Sequence, residues 1–308
     1  MIDSRPQPVS ASVFEFELEL PDRQLTLLAR RLIGFPGRYQ RLRAQMRLLV
    51  DPERLAAWSQ RFYGDQLPLL DVVRDAHPLA LFHGDVGCGK TATAKCIANE
   101  LARDLGERGV LRALSTRVRG SGYVAQMSEL INEAFDEVIE SSANELSFLL
   151  IDEADSLAET RAEEQTHHED KVGVNTLIQR MNELVSVRSR VYVFLCTNRL
   201  DAIDPALLRR SYVESFDRPT YEERAHLLRL DLAGTGISEA VIAAVARLTG
   251  PDGNGRAVGF SYSDMRHRLL LQFLATACPR QPLDARDLIE LARRVQPSPT
   301  MADLKGRK

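Results

Sequence analysis

Apolar residues in the first two-thirds of the chain gather in short runs, separated by longer stretches at helical spacing. The runs Leu79 to His83, Ala113 to Val118, Ser147 to Ile151, Val191 to Cys196 and Tyr212 to Phe216 read as strands. Between them, Ala92 to Leu105, Val124 to Ser142 and Val172 to Val185 repeat their apolar positions every three or four residues and read as helices. Strands that are apolar throughout need cover on both faces, so the alternation predicts an α/β fold: a parallel five-stranded sheet flanked by helices. In such sheets ligands bind beyond the carboxyl ends of the strands.

After Pro219 the strand signal stops. Helical segments follow one another at Tyr221 to Leu232, Ser238 to Leu248, Ser261 to Ala277 and Asp284 to Val295, with a loop at Pro251-Asp252-Gly253-Asn254-Gly255. At the other end, Met1 to about Ser12 is polar and proline-containing, and helical spacing starts near Arg23 and runs to Val50. Arg30, Arg31, Arg38, Arg41, Arg43 and Arg47 interrupt its leucines, which describes a solvated helix face or a contact for an acidic partner. The expected organisation is an N-terminal arm over 1–22, a large α/β domain over 23–218, a small C-terminal helical domain over 219–297 and a flexible tail over 298–308.

Length and charge narrow the classes. A chain of 308 residues can bury one large core and a smaller one. Its net charge of -3 supplies no general attraction for nucleic acid or an acidic membrane. Cys88, Cys96, Cys196 and Cys278 form no C-x-x-C pair, and Asp3 and Arg5 stand where a signal core would be apolar, so a reducing cytoplasm is expected. Leu269 to Leu274, interrupted by Gln272, is too short to cross a bilayer, and no membrane association is expected.

The chemistry is concentrated at strand ends. Gly84-Asp85-Val86-Gly87-Cys88-Gly89-Lys90-Thr91 fulfils G-x-x-x-x-G-K-[ST] and directly follows a strand. Gly84, Gly87 and Gly89 let backbone N–H groups, including those beside Cys88 and Ala92, turn toward a polyphosphate. Lys90 reaches the outer phosphates, and Thr91 can ligate Mg²⁺. The following helix presents its positive end to the same anion. The chain is therefore expected to bind a nucleoside triphosphate. Ser147 to Ile151 ends in Asp152-Glu153, where Asp152 would hold Mg²⁺ and Glu153 would polarise the attacking water. The next strand ends at Asn198, placed to position water beside the γ-phosphate or simply to make a turn. Adjacent Arg209 and Arg210 are costly to bury unpaired and should project outward, where one could enter a neighbouring subunit's nucleotide site.

Taken together, these residues and the trailing helices resemble an AAA+ ATPase over roughly Arg23 to Val295. The resemblance implies a ring, usually a homohexamer, with ATP between subunits. It also places Ile33-Gly34 beside the adenine. Leu150 to Leu157, Thr160-Arg161 and Val174-Asn175 are similar to the AAA+ ATPases that remodel HORMA-domain proteins, the group of the pachytene-checkpoint ATPase and thyroid hormone receptor interacting protein thirteen. That resemblance implies that Tyr123-Val124 is a first pore loop gripping an extended polypeptide and that Ala162 to Asp170 is a second. The adjacent His167 and His168 lack a third ligand for a metal, and His83 reads as a packing residue.

In Gly259-Phe260-Ser261-Tyr262-Ser263-Asp264-Met265-Arg266, Ser263 stands where some of these remodellers carry the sensor 2 arginine, leaving Arg266 or Arg268 for that role. The finger segment lacks the family's common proline-glycine-arginine continuation, which leaves Arg209 and Arg210 equivalent. The compact chain resembles the bacterial form associated with CBASS antiphage operons, with a HORMA-domain protein as substrate, with or without an adaptor. A nucleic-acid-associated AAA+ switch, such as a helicase loader or a clamp-loader-like subunit, would share every ATP residue. Against it stand the Tyr123-Val124 pair and the acidic run from Glu163 to Asp170.

Overall fold

A computed structural model describes residues 13–50, 52–114, 124–157, 170–187, 189–251 and 255–300. Its strands are β1 (Phe14–Leu20), β2 (Leu79–Gly84), β3 (Gly109–Leu114), β4 (Leu146–Ile151), β5 (Val191–Thr197) and β6 (Tyr212–Phe216). They form a six-stranded sheet in the order β1-β3-β4-β5-β2-β6. Every pairing is parallel except that of β1 with β3.

The sheet thus has six strands rather than the expected five, and it is mixed rather than wholly parallel. The added strand lies within the segment read as an arm. Phe14, Phe16, Leu18 and Leu20 alternate with Glu15, Glu17 and Glu19, and the glutamates are the exposed set. That period of two suits an edge strand with one face on the core, and antiparallel addition is how open α/β sheets commonly end. The strand expected at Ala113 to Val118 starts earlier, with its described part over Gly109–Leu114; residues 115–118 lie outside the described residues. Gly109 starts it because a Cβ there would lie 2.8 Å from the Leu146 carbonyl of the neighbouring strand.

Each central strand feeds two cores. In β5, Tyr192, Phe194 and Cys196 face one layer and Val191, Val193 and Leu195 the other. The first layer is covered by α1 (Arg23–Ala29), α2 (Phe35–Val50) and α5 (Lys90–Leu105), and the second by α6 (Val124–Ser141) and α7 (Asp170–Val187). The long helical stretch expected from Arg23 to Val50 is broken at Gly34, whose φ of +74° suits glycine. Between α2 and β2 lie α3 (Pro52–Tyr63) and α4 (Leu70–Arg74), helices the apolar pattern did not mark. The short α8 (Pro205–Leu208) precedes β6.

Three arginines of α2 pair within the chain. Arg38 and Arg41 pair with Glu214 of β6, Arg43 pairs with Asp104 of α5, and the Arg38 guanidinium lies 4.6 Å from the Phe216 ring centre. Beyond β6, α9 (Tyr221–Asp231), α10 (Glu239–Leu248), α11 (Leu271–Ala277) and α12 (Ala285–Arg294) enclose a third core. A π-helical stretch, Asp264–Leu270, runs directly into α11. A capping box starts α9: Glu223 N–H donates to the Thr220 hydroxyl at 3.2 Å, and Thr220 N–H donates to the Glu223 carboxylate at 2.9 Å. Among the described residues, no helix is long and apolar enough to cross a membrane.

Candidate nucleotide site

The sheet order brings together the ends of β2, β4 and β5, which carry the residues expected to act on phosphate. Gly84 leaves β2 with φ +137°, and a Cβ there would strike the Phe216 carbonyl of β6. Gly87 and Gly89 also have positive φ, +75° and +92°. Gly89 then caps α5, so Lys90, Thr91 and Ala92 occupy the first turn, whose N–H groups have no partner within the helix. A loop with these dihedrals ending in a helix N-terminus suits an anion.

Lys90 is buried, and its Nζ donates to the Gly84 carbonyl at 3.0 Å, the Asp85 carbonyl at 2.9 Å and Asn198 Oδ1 at 2.8 Å. Burial pushes its pKa below the ordinary lysine value, while nearby negative groups, Asp152 and Asp85 among them, oppose the shift. A bound polyphosphate would favour the charged form further. Thr91 Oγ1 donates to Asp152 Oδ2 at 2.7 Å. These two oxygens, already together, are the donor type that Mg²⁺ takes.

Glu153 is exposed beside Asp152, and its N–H donates to Asp152 Oδ1 at 2.9 Å. Its φ of +50° is the one left-handed value among the described non-glycine residues. Burial raises the thiol of Cys88, within the loop, to about 11. The site is thus one ammonium, N–H groups and paired oxygens at the end of the sheet, with a carboxylate at its margin.

Two groups were missed by sequence reasoning. Asp155 Oδ1 accepts from Thr197 Oγ1 at 2.9 Å and from Asn198 N–H at 3.4 Å, tying the turn after β4 to the end of β5. Its only sequence signal is its place three residues after Asp152. Arg218 donates to Asp85 of the phosphate loop at 2.5 Å, across 133 residues, and nothing local announces that pair.

The remaining candidates are placed as follows. Ile33 packs against the third core, and its carbonyl accepts from Arg38 at 3.1 Å; Ile33-Gly34 thus lies between the sheet layers and the C-terminal helices. Arg266 is held by Asp231 at 2.6 Å and by the Arg31 carbonyl at 3.0 Å. Arg268 lies 3.4 Å from Asp264. The segment's contact with the phosphate loop is instead Ser263, whose N–H donates to the Gly87 carbonyl at 3.1 Å. Arg209 is exposed after α8, whereas Arg210 is half-buried and donates to the Ala206 carbonyl at 2.9 Å. Val124 begins α6; Tyr123 and residues 162–169, including both adjacent histidines, lie outside the described residues. Among the described residues no group of three or more His, Cys, Asp or Glu side chains could hold a metal ion.

Comparison with known proteins agrees with this geometry. Residues 80–218 match the family described as ATPase family associated with various cellular activities (AAA). The chain is similar to CD-NTase-associated protein 6 of Escherichia coli strain KTE188, with 45% identity over 297 residues, covering 96% of this chain and 99% of that protein. Among solved structures it is similar to a chain of the E. coli MS115-1 HORMA:CdnC:Trip13 complex, with a TM-score of 0.86 and 33% identity, covering 95% of this chain and 100% of that one. It is also similar to Rhizobiales Trip13, with a TM-score of 0.71 and 28% identity, over 93% of this chain and 99% of that one. The chain therefore belongs to the AAA ATPase family, among the relatives of CD-NTase-associated protein 6 with a Trip13-like fold, and it is an enzyme that hydrolyses ATP.

Proposed function

We propose that this chain forms a cytoplasmic homohexameric ring that uses Mg²⁺-dependent ATP hydrolysis to remodel or disassemble a HORMA-domain protein in CBASS antiphage signalling. The observation that carries the reading is the likeness, over 95% of the chain, to a protein solved in complex with a HORMA protein. An acidic chain of net charge -3 offers little of the counterion release on which a nucleic-acid-bound switch depends, so the loader reading has no specific support.

In this mechanism the N–H groups from Gly87 to Ala92 and the Lys90 ammonium receive the polyphosphate, with Lys90 exchanging loop carbonyls for phosphate oxygens. Thr91 and Asp152 would hold Mg²⁺, which would supply charge neutralisation to the polyphosphate. Glu153 takes a proton from the attacking water, and Asn198, tethered through Asp155, orients that water. Ile33 and Gly34 border the adenine. Arg209 extends from its protomer toward the neighbour's γ-phosphate, while Arg210 remains on the Ala206 carbonyl of its own chain. Tyr123 and Val124 grip the threaded segment by packing, which needs no particular sequence.

The test uses Glu153→Gln with ATP as a trap. Phosphate release should fall about 100-fold or more for loss of the base, and affinity capture should retain a HORMA-domain protein on an assembled ring. Unchanged phosphate release would remove Glu153 from its role. A retained partner without a HORMA domain would overturn the substrate assignment.

A further inference from the structure

Asp85 carries a carboxylate into a loop built for a polyanion. It is the second residue of the phosphate loop, its carbonyl accepts from Lys90 Nζ at 2.9 Å, and its side chain is 16% exposed. Left unpaired, that carboxylate would repel the ligand and compete with it for the Lys90 ammonium. The structure turns it elsewhere. Oδ1 accepts from Val86 N–H at 2.9 Å, and Oδ2 accepts from Arg218 Nε at 2.5 Å.

Arg218, two residues after β6 and 11% exposed, is itself fixed on three chain segments. Besides Asp85, it donates through Nη1 to the Gly259 carbonyl at 2.7 Å and through Nη2 to the Ser298 carbonyl at 2.9 Å. The nearly buried Asp264 lies 3.8 Å from Nη1 and accepts from the Ser298 hydroxyl at 2.9 Å. A guanidinium spread over three acceptors cannot leave Asp85 without breaking the others, so the carboxylate is held in one orientation. The C-terminal helical layer approaches the loop at the same place: a Cβ on Gly87 would lie 2.7 Å from Ser263 Cβ.

We propose that Arg218 is a positioning residue for ATP binding that acts through Asp85: it neutralises this carboxylate, turns it from the phosphates and fastens the phosphate loop to the C-terminal helices. The inference rests on the reading of residues 84–91 as the phosphate-binding loop. It implies a compensation that simple bracing does not: once Arg218 is gone, Asp85 becomes the harmful group, and removing it as well should restore affinity.

The experiment is equilibrium binding of a fluorescent ATP analogue to the full chain. Arg218→Ala should weaken binding about tenfold, the equivalent of about 1.4 kcal/mol. Arg218→Ala combined with Asp85→Ala should bind within about threefold of Asp85→Ala alone, roughly 0.7 kcal/mol on the same scale. Arg218→Gln keeps donors for the carbonyls but not the charge, and should repeat the pattern if Arg218→Ala fails to fold. Equal weakness with and without Asp85, or wild-type affinity in the Arg218 variants, overturns the proposal. Lys90→Ala serves as the control: undiminished binding there would instead reject the phosphate-loop reading itself.

Discussion

Glu153 keeps a backbone conformation that costs a non-glycine residue on the order of 1 kcal/mol, and it does so beside Asp152 at the end of the central sheet. Strain retained at that point fixes where the carboxylate is offered. Cys88 shows the opposite economy, a reactive group rendered inert by its surroundings. Burial raises its thiol to about 11 and that of Cys96 to about 12, and burial likewise raises Cys196, whereas Cys278 is exposed. A raised pKa withholds the reactive thiolate below it, so at pH 7.5 Cys88 is held almost wholly as the unreactive thiol. Iodoacetamide at that pH should label Cys278 first, with Cys88 reacting only as the pH climbs toward 11. Peptide mass spectrometry over a time course reads this directly, and equal rates at Cys88 and Cys278 would contradict the burial. Lys90, Thr91, Asp152 and Asn198 were legible in the sequence because each sits at a fixed offset from a strand end. Arg218 and Asp85 were not, since their pairing depends on how β6 and the C-terminal helices return to β2.

At the scale of elements, β1 is the instructive case. Its alternation of Phe14, Phe16, Leu18 and Leu20 with three glutamates is plain once the strand is seen, yet a reading tuned to wholly apolar buried strands passes over an edge strand that shows one face to water. Arg112 of β3 anchors it, donating to Glu17 at 2.6 Å. Leu20 is 3% exposed in the first core, so Leu20→Ala should lower unfolding stability by about 3 kcal/mol. Glu19→Ala, on the exposed face of the same strand, should change it by less than about 0.5 kcal/mol. Urea titration separates the two, and equal effects would mean that the strand does not dock as described. The helices show the reciprocal limit. Arginine spacing on α2 suggested a solvated face or an acidic partner, but Glu214 lies 173 residues downstream of Arg41, a separation that no periodicity can report, and Asp104 is likewise far from Arg43.

For the whole molecule, the decisive issue is whether one chain holds a complete catalytic site. The groups proposed to meet the polyphosphate all come from one protomer, whereas Arg209 is exposed on a rigid mount: Asp204 caps α8 through Ala206 N–H at 2.7 Å, and Leu207 is buried beside it. In the ring proposed above, the exposed Arg209 on such a mount is the arginine offered to a second chain, since Arg210 is engaged with the Ala206 carbonyl. Arg209→Ala should therefore lower hydrolysis by about 10³-fold while leaving nucleotide binding nearly intact, the expected loss for a finger arginine. Lys90→Ala should be inactive for the separate reason that it cannot hold phosphate. Mixed in the proposed ring, the two dead variants would create interfaces where an intact Lys90 site faces an intact Arg209, so the mixture should recover hydrolysis in proportion to the frequency of such neighbours. Phosphate release measured across mixing ratios, after exchange of subunits, gives the answer. A mixture as inactive as its components would place the complete site within a single chain, and full activity of Arg209→Ala with loss in Arg210→Ala would transfer the role to the neighbouring arginine.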